Sequence, residues 1–593
     1  MIVLAQTCAA IAATASKLEK IGLLAEYLRR LDDADFAPAA RFFTGNPFAH
    51  SDQRSLGLGG RTLVAAAHVA WGVDGAALRD AYRATGDLGA ALGPFVRPTA
   101  DLGLFRETLT PAGLYALLVE IAAAAGKNAQ RRRQVLCERI LGACTDPLEA
   151  TYVIKIVAGE LRIGLREGLI GDAIVRAFAA DPSAVRRAAS AAGDVGAVAV
   201  AAKHGTLDEI AIAYHAPIAF MLATPIPYGG EYKDLTAGSW IIEDKYDGIR
   251  VQAHVTPERV SLFSRTLNDV SAAYPEIVAA LREVPGSFAL DGEIVAERDG
   301  RVLPFRYLQA RLQRKDVSAE LLAEVPVRYV VFDVLARDEA FLLGEPLATR
   351  RAILDQVFLP PCHPERSRGR APIVVAEWRS LDGAHPERSR RTRDDGVGGR
   401  ALVETVHERF SAARERGNEG VMFKRTDAPY APGRRGKWWL KLKRELTTLD
   451  CVVVGVEWGH GRRSQVLSDY TFAVRGPAGL VPIGKAFSGL TDVEIAEMTA
   501  WFRAHRLPES DAARAYETLG LGRNEIVVEP TIVVEIAFDI IQRSELHASG
   551  FSLRFPRIVR LRPDKPAAEA DTLARVVEIY KQMLARERVD VQT

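Results

Sequence analysis

The chain has 593 residues, too many for one hydrophobic core, so its length predicts several domains. Its 48% apolar and 26% charged residues are typical of a globular protein, and its formal net charge of +2 excludes nucleic-acid binding through overall charge alone. The five cysteines form no CxxC pair, which argues against a disulfide framework or a zinc site and fits a reducing cytoplasm.

Residues 1–215 are predicted to be almost entirely helical. Apolar positions recur at helical spacing in LEKIGLLAEYLRRL and EATYVIKIVAGELRIGL. The apolar N-terminus lacks the positively charged start of a signal peptide and continues into this helical pattern. No apolar run reaches the roughly 20 residues that a membrane span needs, so we expect no membrane partner.

Residues 216–445 have the pattern of an α+β domain. Short β-branched segments such as VRYVVFDVL alternate with helical stretches such as SAAYPEIVAALREV. Residues 446–593 return to strand-like segments, with a helix near TDVEIAEMTAWFRAH, and this pattern predicts a small β-barrel with one helix.

The hexapeptide HPERSR occurs twice, at residues 363–368 and 385–390. Each copy is followed by Arg- and Gly-rich sequence that cannot build a core. We therefore predict loop insertions near 361–370 and 384–400, on either side of a strand in APIVVAEW. An additional basic contact with DNA is the alternative interpretation, although most charge runs are only solvated.

The strongest chemical signal is EDKYDGIR at residues 243–250. Lys245 is predicted at the end of a strand, where the following Asp-Gly turn would present its amine. A lysine attacks only as the unprotonated amine, and nearby cations favour that form; Arg250 and a bound Mg²⁺ are the candidates. The four-position KxDG pattern alone also fits a solvated lysine in a hairpin.

This segment resembles the first signature of the covalent nucleotidyltransferases, which comprise DNA ligases, RNA ligases and mRNA capping enzymes. Further segments resemble that superfamily's later motifs in the same order: residues 264–269 (SRTLND), 290–295 (LDGEIV), 331–335 (VFDVL), 419–424 (EGVMFK), 439–443 (WLKLK) and 562–565 (RPDK). The ordered set is far more specific than any single member.

The resemblance implies a role for each matched residue. Lys245 would attack the α-phosphate of ATP, with Glu243 at the adenine edge and Phe332 stacked on its face. Arg250, Arg265 and Glu293 are expected around the ribose and phosphates, and Lys424, Lys441 and Lys443 would neutralise the charge that develops on the phosphates. Arg435 and Trp439 match further positions near the nucleotide. Arg434 and Trp438 are the alternatives to Arg435 and Trp439. Taken singly, Phe332 also fits a core aromatic and Glu293 a solvated carboxylate.

The resemblance also implies a metal and a third domain. Glu293 and Glu419 are the expected carboxylates for Mg²⁺, with Mn²⁺ as the alternative metal. In this superfamily the terminal domain is an OB-fold β-barrel, and its last motif orients the leaving pyrophosphate. Arg562, Asp564 and Lys565 carry that motif here.

The helical region indicates which polynucleotide is bound. LGLGGR at residues 56–61, GKNAQRRR at 126–133 and GELRIGLREG at 159–168 resemble the helical DNA-binding domain of archaeal and eukaryotic-type DNA ligases. Glycines at helix starts let backbone amides approach phosphates, and adjacent cations add charge. The predicted DNA contacts are Arg61, Lys127, Arg131, Arg162 and Arg166. A packed helix end with a glycine cap is the alternative for any single arginine in LRIGLREG.

The sequence therefore predicts an ATP-dependent DNA ligase that seals nicked duplex DNA through a lysyl-AMP intermediate. ATP is favoured over NAD because the four-cysteine zinc module and nicotinamide-binding segment of NAD-using ligases are not recognisable. The alternatives are an RNA-acting nucleotidyltransferase and a non-catalytic DNA clamp. We expect a monomer in the cytoplasm, associated with the nucleoid. The sequence does not distinguish replication, repair and recombination, or indicate sliding-clamp partners.

Overall fold

The structure is a computed structural model. It describes residues 1–49, 52, 54–96, 108–230, 232–298, 301–312, 314, 316–358, 372–381, 399–443, 447–459, 463, 465–522 and 524–592. Both HPERSR copies lie outside the described residues, and so do the insertions predicted around them except for residues 399–400, which begin a helix.

Twelve α-helices occupy the described part of the first 204 residues, as the sequence predicts. They are α1 (Ile2–Ala13), α2 (Lys17–Arg29), α3 (Asp33–Phe42), α4 (Gly60–Trp71), α5 (Gly75–Thr85), α6 (Leu88–Leu92), α7 (Pro111–Ala123), α8 (Ala129–Ala143), α9 (Pro147–Val157), α10 (Glu167–Phe178), α11 (Pro182–Ala192) and α12 (Val195–His204). Local signals set their limits: Asp146 caps the start of α9 by accepting from two backbone amides. Gly193, with φ of 58°, ends α11 in the left-handed conformation that glycine adopts without strain.

Two sheets form the next part of the chain. The first has five strands in the order β1-β12-β11-β2-β10: β1 (Leu222–Ile226), β2 (Trp240–Lys245), β10 (Trp378–Ser380), β11 (Gly420–Arg425) and β12 (Arg435–Lys443). The second has seven: β3 (Ile249–Val255), β4 (Val260–Ser264), β5 (Phe288–Arg298), β6 (Arg301–Val302), β7 (Val327–Arg337), β8 (Ala340–Phe341) and β9 (Ile373–Val375). The helices α13 (Pro275–Arg282), α14 (Ala319–Glu324), α15 (Leu347–Phe358) and α16 (Gly399–Glu415) lie among these strands in sequence.

Alternation along the strands gives each sheet two different faces. The face of the first sheet that carries Ile242, Phe423 and Leu440 packs against Val406 of α16. The opposite face meets the second sheet in a separate apolar cluster that contains Phe332 of β7 and Trp439 of β12. The two sheets therefore face each other across a partly aromatic group of side chains, and the region between them is here called the cleft.

The last part of the chain is a six-stranded antiparallel sheet with a separate two-stranded hairpin. The sheet contains β13 (Thr447–Trp458), β14 (Leu467–Gly476), β15 (Gly479–Ala486), β16 (Ile526–Val527), β17 (Val533–Phe538) and β20 (Arg557–Leu561); the hairpin contains β18 (Ile540–Arg543) and β19 (Phe551–Arg554). A continuous apolar core fills this domain, with Phe472, Ile536 and Phe538 fully buried.

The prediction of one helix in this part was wrong, because the structure has three. They are α17 (Asp492–Ala504), α18 (Glu509–Leu519) and α19 (Leu573–Gln592). Helix α17 begins at a capping box of Thr491 and Glu494, and it is the helix that the sequence predicted. Helix α18 has no fully buried residue, but its partly buried apolar residues recur at helical spacing in AARAYETL (512–519), so the sequence carried a signal for it. Helix α19 buries Val576 and Ile579.

The chain forms two compact units. One comprises Met1–Asp74 and Leu92–Arg444, and the other comprises Gly75–Ala91 and the residues from 445 onward. The predicted domain limits of 1–215, 216–445 and 446–593 remain a prediction. No helix among the described residues is both long enough and apolar enough to cross a bilayer.

Candidate active site

Lys245 lies where the two sheets meet. It is the last residue of β2 in the first sheet, and after the turn at 246–248 the chain enters β3 of the second sheet. Its side chain remains 21% exposed. The strand end and the turn that the sequence predicted are therefore present, and they place the amine at the edge of the cleft.

The glycine of the KxDG turn is required by close packing. A Cβ atom on Gly248 would lie 2.3 Å from the carbonyl oxygen of Ile294 and 2.9 Å from Cγ of Glu293. Backbone cannot yield to such a contact without moving β5. Gly248 therefore allows the turn to lie directly against the strand that carries Glu293.

Glu419 contacts the lysine through both its main chain and its side chain. The Glu419 amide donates to the Lys245 carbonyl oxygen at 2.8 Å. Its Oε2 lies 2.6 Å from Lys245 Nζ. The carboxylate is consequently fixed beside the amine by the backbone as well as by charge.

Glu293 is a second carboxyl group at this end of the cleft. Burial raises the pKa of Glu293 to about 8; the charges of Lys245 and Arg250 oppose this shift, and the charge of Glu419 adds to it. A buried carboxyl group whose pKa is raised in part by a neighbouring carboxylate suits a divalent cation, which prefers oxygen ligands. The described residues contain no cluster of three or more metal-binding side chains, so a metal here would draw further ligands from phosphates or water.

Arg250 is anchored below the cleft. Its Nε and Nη2 donate to the two carboxylate oxygens of Asp291 at 3.0 and 2.7 Å, and Nη1 donates to the Met221 carbonyl at 2.7 Å. Its guanidinium carbon lies 5.6 Å from the ring centre of Phe332 and 5.4 Å from that of Trp439. Asp291 neutralises Arg250, so it has little free charge with which to activate Lys245.

Glu243, Lys424, Phe332 and Trp439 form a buried group on the cleft floor. Lys424 Nζ lies 2.5 Å from Oε2 of Glu243, and 4.1 and 4.5 Å from the ring centres of Phe332 and Trp439. Burial lowers the pKa of Lys424, and the Glu243 carboxylate partly offsets that shift. The structure thus brings four of the predicted nucleotide-binding residues into contact. Trp439 is 1% exposed, and it is this tryptophan, rather than Trp438, that the cluster buries.

Sequence reasoning missed Arg351 of α15. Its Nη1 lies 3.2 Å from Glu243 Oε1 and donates to the Phe332 carbonyl at 2.9 Å, while Nη2 donates to the Ala376 carbonyl at 2.5 Å. Arg351 therefore connects two predicted adenine contacts to each other. No local pattern in LATRRAIL distinguishes it from an ordinary helix arginine.

The remaining predicted cations gather beside the lysine. Burial lowers the pKa of Lys441, and four like charges lower it further: Lys245, Lys443, Arg435 and Arg265. Arg435 and Arg265 are exposed, whereas Lys441 and Lys443 are half-buried. Cations that lie close enough to Lys441 to lower its pKa are suited to binding a polyanion such as a triphosphate.

The predicted DNA contacts fall into two groups. Arg61 lies in the first turn of α4, and Lys127 and Arg131 lie at the start of α8; all three are exposed. The two helices pack together, and Gln130 Nε2 donates to Thr62 Oγ1 at 2.8 Å.

The second group lies in the connection between α9 and α10. Arg162 adopts a φ of 50° between Gly159 and Gly164, which are also left-handed, and its guanidinium pairs with Glu160. Arg166 is the N-cap residue of α10. Arg61, Lys127, Arg131 and Arg166 thus lie at or next to helix starts, where backbone amides favour anions, whereas Arg162 lies midway between two helices.

The last predicted motif is held by an aspartate of β13. Asp450 accepts from Nη1 of Arg562 at 2.8 and 2.9 Å and from Lys565 Nζ at 2.7 Å. Asp564 pairs with Arg562 at 2.8 Å, and this bond lowers the pKa of Asp564 to about 2. Asp450 was not predicted, because a single aspartate in a strand carries no local signal.

Family models match three parts of the chain. The model of the DNA ligase N terminus matches residues 1–175, that of the ATP dependent DNA ligase domain matches 220–387 and 400–443, and that of the ATP dependent DNA ligase C terminal region matches 463–565.

Individual relatives agree with these matches. A probable DNA ligase of Koribacter versatilis is 43% identical over 589 residues, covering 98% of this chain and 96% of the relative. A DNA ligase of Archaeoglobus fulgidus is 33% identical over 584 residues, covering 97% and 98%. A solved structure named Pmar-Lig_PreS3 has a TM-score of 0.55 at 18% identity and covers 94% of this chain and 99% of its own, which supports the fold alone.

The fold and the matched families together define an enzyme of the ligase class. The chain belongs to the ATP-dependent DNA ligase family. This confirms the resemblance read from the seven ordered segments, the predicted fold class and the choice of ATP over NAD.

Proposed function

We propose that this enzyme seals nicks in duplex DNA and that Lys245 is the residue that carries AMP. The observation that supports this most directly is the position of the Lys245 amine, 2.6 Å from Glu419 and beside the cation cluster around Lys441. A nucleophile, a proton acceptor and positive charge for phosphates are thereby combined at one edge of the cleft.

The first step is adenylation of the enzyme. The unprotonated Lys245 amine attacks the α-phosphorus of ATP, a P–N bond forms, and the bond to pyrophosphate breaks. Glu419 Oε2 is placed to take the proton that leaves the amine. AMP then passes to the 5′-phosphate at the nick, and the 3′-hydroxyl finally attacks that activated phosphate and expels AMP.

The residues of the cleft divide between base and phosphates. We assign Glu243, Phe332, Lys424 and Trp439 to the adenine end, because they form one buried aromatic and charged group. The phosphate end takes the exposed and half-buried cations: Arg265, Arg435, Lys441 and Lys443. Arg250 fits the ribose region, where its bond to Asp291 holds it between the two ends.

Glu293 and Glu419 are the residues that would hold Mg²⁺, or Mn²⁺ in its place. Bound there, the cation would neutralise charge that develops on the phosphates. Arg562, Asp564 and Lys565 are assigned to the leaving pyrophosphate because their segment resembles the last motif of the superfamily, and Asp450 holds Arg562 and Lys565 side by side. Phosphoryl transfer depends mainly on positioning and electrostatics, which such residues supply.

DNA binding is assigned to the helical region, through Arg61, Lys127, Arg131, Arg162 and Arg166. Helix α4 has a glycine N-cap, Gly59, and within the described residues the N-cap side chains of α8 and α10 form no bond to the first amides of their helices. Those amides and the adjacent cations suit phosphate oxygens and read no base sequence. We propose a monomer on nicked duplex DNA, in the cytoplasm and associated with the nucleoid.

To test this proposal, the protein is incubated with Mg²⁺ and either α-labelled ATP or labelled NAD. The protein is then denatured, and the label that remains covalently bound to it is measured. We expect label from ATP alone, no label on Lys245→Ala, and discharge of the label by nicked DNA. Discharge by nicked RNA instead would favour an RNA ligase. A wild-type protein that takes no label would favour a non-catalytic clamp.

A further inference from the structure

Asp244, the residue before the lysine, lies on the other face of β2. Its carboxylate accepts from Nε and Nη2 of Arg416 at 2.8 and 2.7 Å and from Asn418 Nδ2 at 2.7 Å. Because successive side chains of a strand point to opposite faces, Asp244 cannot reach a nucleotide bound beside Lys245. Its contacts instead extend to the segment that leads into Glu419.

That segment is held from several sides. Arg414 Nη1 donates to the Asn418 carbonyl at 2.9 Å, and the Glu419 amide donates to the Lys245 carbonyl at 2.8 Å. Gly420 pairs with Lys245 across the sheet, and a Cβ atom there would lie 2.3 Å from the Leu442 carbonyl oxygen. Residues 418–420 therefore have little freedom, and the side chain of Asn418 is itself buried.

The two contacts of the Asp244 carboxylate, called its Arg416 arm and its Asn418 arm, differ in exposure. The Arg416 side chain is 56% exposed, so its ion pair is screened by water and should contribute little. Asn418 is 2% exposed, and its hydrogen bond to Asp244 is shielded. The Asn418 arm is thus the one that can transmit the position of Asp244 to the next residue, Glu419.

We infer that Asp244 and Asn418 are a positioning pair that sets the Glu419 carboxylate against the Lys245 amine. The inference rests on the proposed role of Lys245 as the nucleophile. Glu419 touches the reacting amine, whereas Asp244 and Asn418 act only through it. Displacement of Glu419 by a fraction of an ångström would impair the chemical step while leaving the adenine and phosphate contacts in place.

The test measures the rate of lysyl-AMP formation across a range of ATP concentrations. We expect Asp244→Ala and Asn418→Ala to slow the reaction about tenfold at saturating ATP. The ATP concentration for half-maximal rate should change by less than about twofold, since uniform binding is untouched. The double variant should be no slower than either single variant, because both remove the same bond.

Further variants separate the two arms. Asp244→Asn keeps an oxygen that can accept from Asn418, and Arg416→Ala removes only the exposed arm, so both should retain most of the rate. Asn418→Ser keeps a polar side chain in the buried position but loses the reach to Asp244, and it should be as slow as Asn418→Ala. If the alanine variants have markedly lower melting temperatures than the wild type, Asn418→Ser replaces Asn418→Ala in the test.

The control is Asp427→Asn. It removes the ion pair between Asp427 and Arg425 at the far end of β11, and it should not change the rate of lysyl-AMP formation. The inference would be overturned if the fold-reductions in rate of the two single variants multiplied in the double variant. It would also be overturned by a change confined to the ATP concentration dependence, or by an Asp244→Asn variant as slow as Asp244→Ala. Failure of the proposed function is distinguishable, because wild-type protein would then form no adduct that depends on Lys245.

Discussion

His254 of β3 is fully buried in a chain of polar contacts that fastens the connection from the helical region to the first sheet. Its Nδ1 accepts from the His215 amide at 3.0 Å, and its Nε2 lies 2.8 Å from Gln252 Oε1. Gln252 in turn bonds both the amide and the carbonyl of Ile218. This arrangement needs the neutral ring with its proton on Nε2, so a second proton would have no acceptor.

Acid should therefore destabilise this part of the protein. Burial lowers the pKa of His254 to about 3, and the nearby His215 adds to the shift. As the pH falls from about 6.5, the unfolded chain takes up a proton that the folded chain refuses, and stability decreases by up to about 1.4 kcal/mol per pH unit until about pH 3. In urea denaturation, the stability gap between wild type and His254→Gln should narrow by about 1 kcal/mol from pH 7.5 to 5.5. If the stability difference between wild type and His254→Gln were the same at both pH values, this prediction would be wrong. The control is His204→Gln, which replaces an exposed histidine.

The turn between β2 and β3 is an element whose geometry depends on one missing methyl group. In Gly248→Ala the new Cβ would meet the Ile294 carbonyl at 2.3 Å, so the turn must lift away from β5 and from Glu293. We expect lysyl-AMP formation to fall at least tenfold, at a stability cost of about 1–3 kcal/mol. Single-turnover labelling with ATP measures the rate.

Gly230→Ala is the matched control for that substitution. A Cβ there would come no closer than 3.5 Å to any neighbour, namely Cγ of Pro227, and the residue needs no left-handed backbone. It should react at the wild-type rate. Equal rates for Gly248→Ala and wild type would show that the turn tolerates displacement from β5.

The elements also show how far a sequence predicts a site. Lys245, Glu419 and Lys441 were predicted because each lies in a short segment whose residue types and order are characteristic. Arg351 and Asn418 were not predicted, because they act through contacts that only the folded chain creates. Arg351 of α15 contacts Glu243, and Asn418, just before β11, contacts Asp244 of the neighbouring strand β2. Helix α18 is a different case, because AARAYETL (512–519) has partly buried apolar residues at helical spacing and could have been predicted from the sequence.

Over the whole molecule, positive charge is concentrated in a few regions and not spread evenly. A formal net charge of +2 gives no long-range attraction to DNA, so affinity must come from places where cations and helix starts coincide. The starts of α4 and α8 are such a place, with Arg61, Lys127 and Arg131 exposed on two helices that pack together. If these three residues contact phosphates, they release counterions on binding.

Removing the three cations should therefore change the salt dependence of binding as well as the affinity. For Arg61→Ala/Lys127→Ala/Arg131→Ala, we expect the slope of log K against log salt to become shallower by about three, because each phosphate contact contributes about 0.9. Fluorescence anisotropy of nicked duplex DNA at several salt concentrations measures the slope. Arg30→Ala, which removes an exposed arginine of the same helical region that is paired with Glu26, should leave it unchanged. Weaker binding with an unaltered slope would mean that the triple variant disturbs the helices and not the phosphate contacts, and lysyl-AMP formation without DNA should stay at the wild-type rate in either case.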